Sequence, residues 1–223
     1  MNKDIRNMVK DAMVLFVITL IAGLVLGVVY QVTKEPIAAQ QEKAKQRACM
    51  EVFADAASFE AVEAQSGAGE GEADEEEEGY RTPTDASWEE QGFSGVDIAE
   101  TLVALDANGN ALGYVITVVD HEGYGGDIKF MMGICNDGTL NGISLLSISE
   151  TAGLGMKAEE KLQPQFAGKH VERFSYVKGN GTADDQIDAI SGATITTNAV
   201  TNGVNAGLYY FQTTLGGGEN NGE

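Results

Sequence analysis

The sequence has few of the residues from which metal sites and disulfide frameworks are built. Among 223 residues it holds two cysteines, Cys49 and Cys135, and two histidines, His121 and His170. Two cysteines without CxxC spacing form neither a disulfide framework nor a zinc or iron–sulfur site. Two histidines by themselves do not make a catalytic or metal-binding group. We therefore predict no metal site, and we expect each cysteine to be a small buried apolar residue.

Basic residues are also scarce, with 14 Lys and Arg against 34 Asp and Glu, and the formal net charge is −20. An acidic chain of this kind is repelled by phosphate backbones, so we predict that nucleic acid is not a partner. The sequence also lacks a dinucleotide-binding GxGxxG pattern and the charged pair expected for hydrolysis. With 43% hydrophobic residues, the chain can bury one modest core beyond a membrane segment, which predicts one main domain.

Residues 12–33 contain no charged side chain. The stretch has the length that a helix needs to cross a hydrocarbon core of about 30 Å, and we predict a single transmembrane helix. The alternatives are a cleaved signal peptide and a buried core helix. A signal peptide has a shorter apolar region followed by a small-x-small cleavage site, whereas this stretch continues into the sequence KEP at 34–36.

The charges before residue 12 predict an orientation. Lys3, Arg6 and Lys10 precede the helix, so the positive-inside tendency places residues 1–11 in the cytoplasm. The chain after residue 34 is then extracytoplasmic. Further basic residues soon after the helix weaken this asymmetry. We predict a single-pass protein of the cell membrane, in contact with membrane lipid.

The chain after the membrane segment divides by composition. Residues 34–64 are predicted to form a membrane-proximal helix, because Ala48, Val52, Ala56 and Phe59 recur at helical spacing. Residues 65–87 contain four consecutive glutamates and almost no apolar side chains, which predicts an acidic disordered spacer. The main domain is expected at 88–214, followed by a disordered tail at 215–223.

The main domain shows strand patterns first and a long helix last. Asp-Ala-Asn-Gly-Asn at 106–110 and Asn-Asp-Gly at 136–138 are turn sequences between β-rich runs and predict two hairpins. The predicted strands are Thr101–Leu105, Leu112–Val119, Ile128–Cys135 and Leu140–Ile148. Helices are expected at Met156–Phe166 and Ile195–Phe211. An antiparallel sheet packed with helices gives the fold class α+β.

Two glycine-bearing loops lie at predicted strand ends. They are His-Glu-Gly-Tyr-Gly-Gly at 121–126 and Glu-Thr-Ala-Gly-Leu-Gly at 150–155. Glycines at such positions let the backbone approach a flat or phosphorylated ligand closely. They can equally serve only the geometry of a turn.

A stretch of small and hydroxylated residues at 188–197 leads directly into the last helix. Gly192 and Ala193 leave space beside Thr194, while Thr196, Thr197 and the first free amides of the helix can donate hydrogen bonds to a phosphate. The alternative is that Ser191 and the two later threonines merely cap the helix.

The same stretch resembles the flavin-attachment motif of the FMN-binding domain family, Asp-x-x-(Ser/Thr)-Gly-Ala-Thr-x-(Thr/Ser). Further segments, GYGGDIKFMMGI at 123–134, ETAGLG at 150–155, QFAGK at 165–169 and ISGATITTNAVTNGVNAG at 190–207, are most similar to the G subunits of the Rnf electron-transport complexes. The C subunits of the sodium-pumping NADH:quinone reductases share the domain and are the nearest alternative. A membrane-anchored binding module that never carries flavin is a third.

The resemblance implies that FMN is joined to Thr194 through a phosphoester bond. It implies an electron-relay role in an ion-translocating ferredoxin:NAD oxidoreductase, with the other Rnf membrane subunits as partners and a flavin transferase for maturation. The family loop usually has proline where this chain has Ala152. The site residues expected beside Thr194 are Asp188, Ser191, Gly192, Ala193, Thr196 and Thr197 from the motif, and Thr151, Gly153, Leu154 and Tyr124 near the flavin ring.

Overall fold

The computed structural model of the chain describes residues 3–62 and 86–216. The chain divides into two compact units, residues 1–45 and 46–223. The boundary lies within helix α1, Lys3–Val52, so this helix contributes residues to both units. The predicted acidic spacer and C-terminal tail lie almost entirely outside the described residues, and both stay predictions.

The first unit is the N-terminal part of α1, which is long and apolar enough to cross a membrane. Its large apolar side chains, from Met13 to Val32, are exposed, so it is not the buried core helix that the sequence left open. The Thr19 hydroxyl donates to the carbonyl oxygens of Leu15, at 3.1 Å, and Phe16, at 2.9 Å. Polar groups satisfied inside the helix suit a transmembrane helix, because lipid offers them no partner.

The second unit is built on an antiparallel sheet with the strand order β1-β2-β3-β4-β5. The predicted antiparallel sheet is confirmed, and β4 and β5 have the predicted bounds, while β2 begins earlier, at Val96. The strands are β1 Ser58–Ala61, β2 Val96–Leu105, β3 Ala111–Asp120, β4 Ile128–Cys135 and β5 Leu140–Ile148.

The turn between β2 and β3 forms as its sequence predicts. The Asp106 carboxylate accepts hydrogen bonds from the backbone N–H groups of Asn108, at 2.7 Å, and Asn110, at 2.9 Å. Gly109 has φ +82°, a conformation that side chains disfavour. The Asn110 side-chain amide also donates to this carboxylate at 2.9 Å, and this bond, as the largest cause, together with the backbone bonds lowers the pKa of Asp106 to about 2.

The two faces of the sheet are covered by different helices. One face packs against α4, Thr194–Thr214, in the larger apolar core. Gly207 brings this helix close to the sheet, since a Cβ at this position would lie 2.1 Å from the Met132 sulfur. The other face packs against the end of α1 and the residue that follows it, and Ala48, Val52 and Phe53 belong to this second core.

A short helix, α2, Ala86–Glu90, adds an aromatic cluster to the larger core. The Trp88 ring lies 5.1 Å from that of Phe93 and 6.2 Å from that of Tyr209, measured between centroids. Its indole N–H donates to the Val96 carbonyl at 3.2 Å. Trp88 is therefore buried among aromatic rings, and its one polar group has a hydrogen-bond partner.

The structure corrects the predicted helix at 34–64. Helix α1 ends at Val52, where the Asn141 side-chain amide donates to the Val52 carbonyl at 3.1 Å. Residues 58–61 form β1 and pair with β2 instead of continuing the helix. Ala48 and Val52 face the core as their helical spacing predicted, but Phe59 belongs to a strand. The compact unit therefore begins well before residue 88.

The helix predicted at Met156–Phe166 is divided into three short pieces. These are a 3-10 turn at Gly155–Lys157, helix α3 at Ala158–Lys161 and a second 3-10 turn at Gln163–Gln165. Pro164 explains the break between α3 and the second 3-10 turn, because proline lacks the amide hydrogen that a continuing helix requires. A parallel pair of three-residue strands, β6 Ser175–Val177 and β7 Gln186–Asp188, was not predicted. Helix α4 is confirmed, beginning at Thr194 and not at Ile195.

Candidate functional site

A cleft of about 480 Å³ lies where the two glycine-bearing loops meet the start of α4. Small-molecule sites in proteins usually enclose roughly 300–1,000 Å³, so the cleft is large enough for a cofactor. Most of the predicted site residues line it: Tyr124, Thr151, Leu154, Gly192, Ala193, Thr194 and Thr196.

The start of α4 places a free hydroxyl beside free amides. Ala193 is the N-cap residue and Thr194 is the first helical residue, half-buried in the cleft wall. Among the described residues, the Thr194 hydroxyl has no hydrogen-bond partner, and the first amides of a helix have none within it. These amides and the helix dipole favour an anion at this position. A phosphate can therefore be held here, and the Thr194 oxygen is available for esterification.

Thr197 and Gly192 shape the turn before the helix. The buried Thr197 hydroxyl donates to the Ala193 carbonyl at 2.9 Å and accepts from the Ile190 N–H at 3.1 Å. Gly192 has φ +80°, where a side chain would be strained. The Thr197 hydroxyl therefore stabilises the loop before α4. Thr197 does not line the cleft, where a side chain that binds phosphate would lie. Ser191 is exposed outside the cleft lining and makes no cap, because the N-cap has no side-chain hydrogen bond.

Thr196 lines the cleft, but its hydroxyl hydrogen is already engaged. It donates to the Glu150 carboxylate at 3.0 Å, and only 1% of Thr196 is exposed. A hydroxyl has one hydrogen to donate. In the structure this hydrogen contacts Glu150, and a contact of the Thr196 side chain with phosphate stays a prediction.

Asp188 and Gly153 serve the surrounding loops. Asp188, on β7, accepts a hydrogen bond from the Gly181 N–H at 2.7 Å, and its own N–H donates to the Gln165 side chain at 2.7 Å. Gly153 has φ +78° and sets the turn between Thr151 and Leu154. Neither residue lines the cleft, and both stabilise the conformation of the segments around it.

Three lining residues were not predicted, namely Glu150, Gly155 and Ile195. Glu150 is 9% exposed, and its second carboxylate oxygen accepts a hydrogen bond from the Gly125 N–H at 3.2 Å. No local pattern in the sequence indicated this role, because both hydrogen-bond donors come from distant parts of the chain. Ile195 is 51% exposed and adds apolar surface at the start of α4.

The loop at 121–127, which carries Tyr124, is held by His121. The imidazole Nε2 lies 2.9 Å from an Asp97 oxygen, and Nδ1 lies 2.9 Å from an Asp127 oxygen. Partial burial lowers the pKa of His121, but the two hydrogen-bonded carboxylates outweigh it and raise the pKa above the usual 6.5. Both ring nitrogens can donate only when the imidazole is protonated, so His121 makes both hydrogen bonds only in its charged form.

Asp120, the last residue of β3, is fully buried next to this loop. One carboxylate oxygen accepts from the Glu122 N–H at 2.8 Å, while the other has no partner among the described residues. Burial, the largest cause, raises the pKa of Asp120 to about 7. Folding therefore favours the neutral carboxyl group.

We expect Asp120→Asn to change how stability depends on pH. Because the folded pKa is raised, the wild-type protein loses stability as pH rises from about 4 to about 7, while the asparagine variant does not. The variant should be more stable at pH 8 by roughly 4 kcal/mol, at about 1.4 kcal/mol for each pKa unit, and the difference should vanish near pH 4. Urea unfolding of the full chain followed by Trp88 fluorescence measures this. A difference that grew as the pH fell would contradict the assignment.

None of the described residues forms a group of three or more His, Cys, Asp or Glu side chains able to hold a metal ion. Cys49 is buried and Cys135 partly buried, and neither forms a disulfide bond with another described residue. The site offers a hydroxyl, free amides, a glycine-lined wall and apolar side chains.

The chain is similar to known proteins along nearly its whole length. Residues 123–209 match the FMN-binding domain family, and residues 1–52 match the RnfG N-terminal region. The G subunit of the Na(+)-translocating ferredoxin:NAD(+) oxidoreductase complex of Acetobacterium woodii is 32% identical, over 94% of each chain. The G subunit of the proton-translocating ferredoxin:NAD(+) oxidoreductase complex of Clostridium ljungdahlii is 27% identical, over 93% of this chain and 97% of that one.

Among solved structures, NqrC of Shewanella oneidensis matches 54% of this chain and 60% of that chain, with 21% identity and a TM-score of 0.45. The identity and coverage of the Acetobacterium protein decide between the two families that the sequence left open. The chain belongs to the family of G subunits of ion-translocating oxidoreductase complexes, and residues 123–209 are its FMN-binding domain.

Proposed function

We propose that this chain carries FMN esterified to Thr194 and relays electrons within a membrane-bound, ion-translocating ferredoxin:NAD oxidoreductase complex. The observation that carries the proposal is the Thr194 hydroxyl, unpartnered among the described residues, at the N-terminus of α4 and inside the cleft. Bound FMN supplies the redox chemistry, since the flavin ring itself accepts and donates electrons.

The cleft fits this cofactor in shape and in chemistry. Gly155 forms part of its wall, where a Cβ would lie 2.6 Å from the Thr196 hydroxyl oxygen and 2.7 Å from the Glu150 Cβ. The first amides of α4 would hold the phosphate, and exposed Tyr124, Leu154 and Ile195 offer apolar surface to a flat ring. A free phosphate-binding turn and an adjacent apolar wall suit a ligand with one charged and one aromatic end.

The proposed attachment is a phosphoryl transfer from an activated flavin nucleotide, catalysed by a flavin transferase. A bond forms between the Thr194 Oγ1 atom and the phosphorus of the FMN part of the donor, and the phosphoanhydride bond of the donor breaks. The rest of the donor leaves as a nucleoside monophosphate, which takes the electron pair of the broken bond. The hydroxyl proton leaves to solvent or to a base of the transferase. The ester prevents the loss of a cofactor that would otherwise dissociate, since micromolar affinity amounts to only about 8 kcal/mol.

The protein's own residues bind and orient, and no described group in the cleft forms an acid–base pair for converting a substrate. The chain has no dinucleotide-binding motif, so the ferredoxin and NAD named for its relatives would be handled by other members of the complex. The remaining task of this chain is to hold the flavin where electrons can reach and leave it.

Intact-mass spectrometry of protein purified from its native membrane tests the attachment. The protein should be heavier than its sequence by one FMN less water, and the added mass should lie on a peptide containing Thr194. Mass on a peptide bearing only another hydroxyl would move the site. Unmodified native protein would support the alternative of a membrane-anchored module without flavin.

We also propose that the domain lies outside the cytoplasm and residues 1–11 inside it. The support is the set of Lys3, Arg6 and Lys10 before the transmembrane helix. A reporter enzyme that is active only outside the cytoplasm should work when fused after Glu223 and fail when fused before Asp11. Matched fusions to a reporter active only in the cytoplasm should give the opposite result. Reversal of both patterns would overturn the orientation.

A further inference from the structure

Glu150 is the one carboxylate among the described residues that line the cleft. It lies outside the stretch at 188–197 that resembles the flavin-attachment motif. Its two oxygens accept hydrogen bonds from different segments. Oε1 accepts from the Gly125 N–H at 3.2 Å, and Oε2 accepts from the Thr196 hydroxyl at 3.0 Å. One side chain on the loop after β5 thus joins the loop at 121–127 to the first turn of α4.

The glycines around this carboxylate leave the space that it needs. A Cβ at Gly155 would lie 2.7 Å from the Glu150 Cβ and 2.8 Å from its Oε2. A Cβ at Gly123 would lie 2.9 Å from its Oε1. Real Cβ atoms do not approach other atoms so closely, so both positions must remain glycine for the two hydrogen bonds to form.

The joined segments carry the groups on which the proposed flavin site depends. Gly125 follows Tyr124 in the loop, and Thr196 lies two residues after Thr194 on the first turn of α4. The loop and the helix cannot separate without breaking a hydrogen bond to the carboxylate. Such charge-assisted bonds are stronger than those between neutral groups, and more so at a buried site.

We propose that Glu150 is a positioning residue of the flavin site, which fixes the loop bearing Tyr124 against the start of α4 and so sets the width of the cleft. This inference rests on the proposed function for its consequence, because the cleft is where the flavin would be attached and held. The hydrogen bonds themselves form in the protein without flavin.

The variants Glu150→Gln and Glu150→Ala distinguish an effect of the hydrogen bonds of Glu150 from an effect of its charge. In Glu150→Gln, the amide oxygen can accept from the Gly125 N–H, and the amide nitrogen can donate to the Thr196 hydroxyl, which has free lone pairs. Glu150→Ala removes both contacts. Glu159→Ala, at an exposed position on α3, removes a negative charge of the same type from the surface and serves as the control.

The first measurement is amide hydrogen exchange of Gly125 in the full chain, in a Thr194→Val background that carries no ester. Glu150→Ala should exchange this amide about tenfold faster or more, and Glu150→Gln within about twofold of the parent. The amide of Val118, in the core of β3, should keep its protection in both variants. Unchanged exchange in Glu150→Ala, or equal loss of protection at Val118, would overturn the positioning role.

The second measurement is the rate of covalent flavin incorporation by a flavin transferase into the chain with Thr194 intact. Glu150→Ala should slow incorporation about tenfold or more, while Glu150→Gln and Glu159→Ala stay within about twofold of wild type. Gly155→Ala should match Glu150→Ala, because its methyl group displaces the carboxylate. If Glu150→Gln were as slow as Glu150→Ala, the charge and not the geometry would matter, and the inference would fail.

The two measurements keep this inference apart from the proposed function. If wild-type protein took up no flavin on Thr194, the proposed function would fall, and the exchange of Gly125 would still decide whether Glu150 joins the two segments.

Discussion

Thr194→Val should reduce covalent flavin on this protein to background. Valine keeps the β-branched shape and nearly the volume of threonine, but it has no oxygen through which a phosphoester can form. The hydroxyl has no partner among the described residues, so its loss should cost little stability and α4 should still form. In-gel flavin fluorescence of the denatured protein measures the attachment, and ferredoxin-dependent NAD reduction by membranes should fall with it.

Two matched variants control for this result. Thr194→Ser keeps an acceptor oxygen and should retain covalent flavin. Thr196→Val keeps the Thr194 hydroxyl and removes only the contact with Glu150, so flavin should be reduced but detectable. Full covalent flavin in Thr194→Val, with a normal circular dichroism spectrum, would show that Thr194 is not the attachment site.

A fragment that begins at Trp88, the start of the domain predicted from sequence, should fail to fold. It lacks the end of α1 and strand β1, so one face of the sheet loses its cover. Val52 and Phe53 are fully buried, and such side chains contribute about 1.5–3 kcal/mol each, besides the cover they give to Met131 and Val115. The sum of these losses is comparable to the whole stability of a typical domain, about 5–15 kcal/mol.

A fragment that begins at Gln46 retains these residues and should fold as a monomer. Size-exclusion chromatography and the emission of the buried Trp88 compare the two fragments. A shift of Trp88 emission to the red, with aggregation, is expected only for the shorter one. If the fragment from Trp88 were monomeric with the emission of the longer fragment, the second core would be dispensable.

Elements fixed by local chemistry were predicted well from the sequence. The turn at 106–110 carries its own hydrogen-bond acceptor in Asp106 and a glycine at the position with positive φ, so both hairpin strands follow from it. Helix α4 was predicted because its apolar residues recur at helical spacing over many turns. By contrast, β1 and the β6–β7 pair are short and acquire their structure from neighbouring strands. No local pattern in those residues reveals that pairing.

In the site, too, local features were predicted from the sequence and contacts between distant segments were not. The motif around Thr194 predicted the hydroxyl and the free amides, because a helix start and its flanking residues are local features. Glu150 was missed because its role depends on Gly125 and Thr196, which the fold brings together from distant parts of the chain. The contact between the Thr196 hydroxyl and Glu150 was missed for the same reason, since the acceptor lies on a distant part of the chain.

The position of α4 in the chain also constrains how the protein matures. This helix covers the larger core and provides Thr194, yet the ribosome synthesises it after every strand of the sheet. The proposed attachment site at Thr194 consequently does not exist on the nascent chain until the sheet has been made and α4 can dock on it. The proposed flavin attachment would then be a late, post-translational step, and the proposed flavin transferase would have to act on the side of the membrane where the completed domain resides.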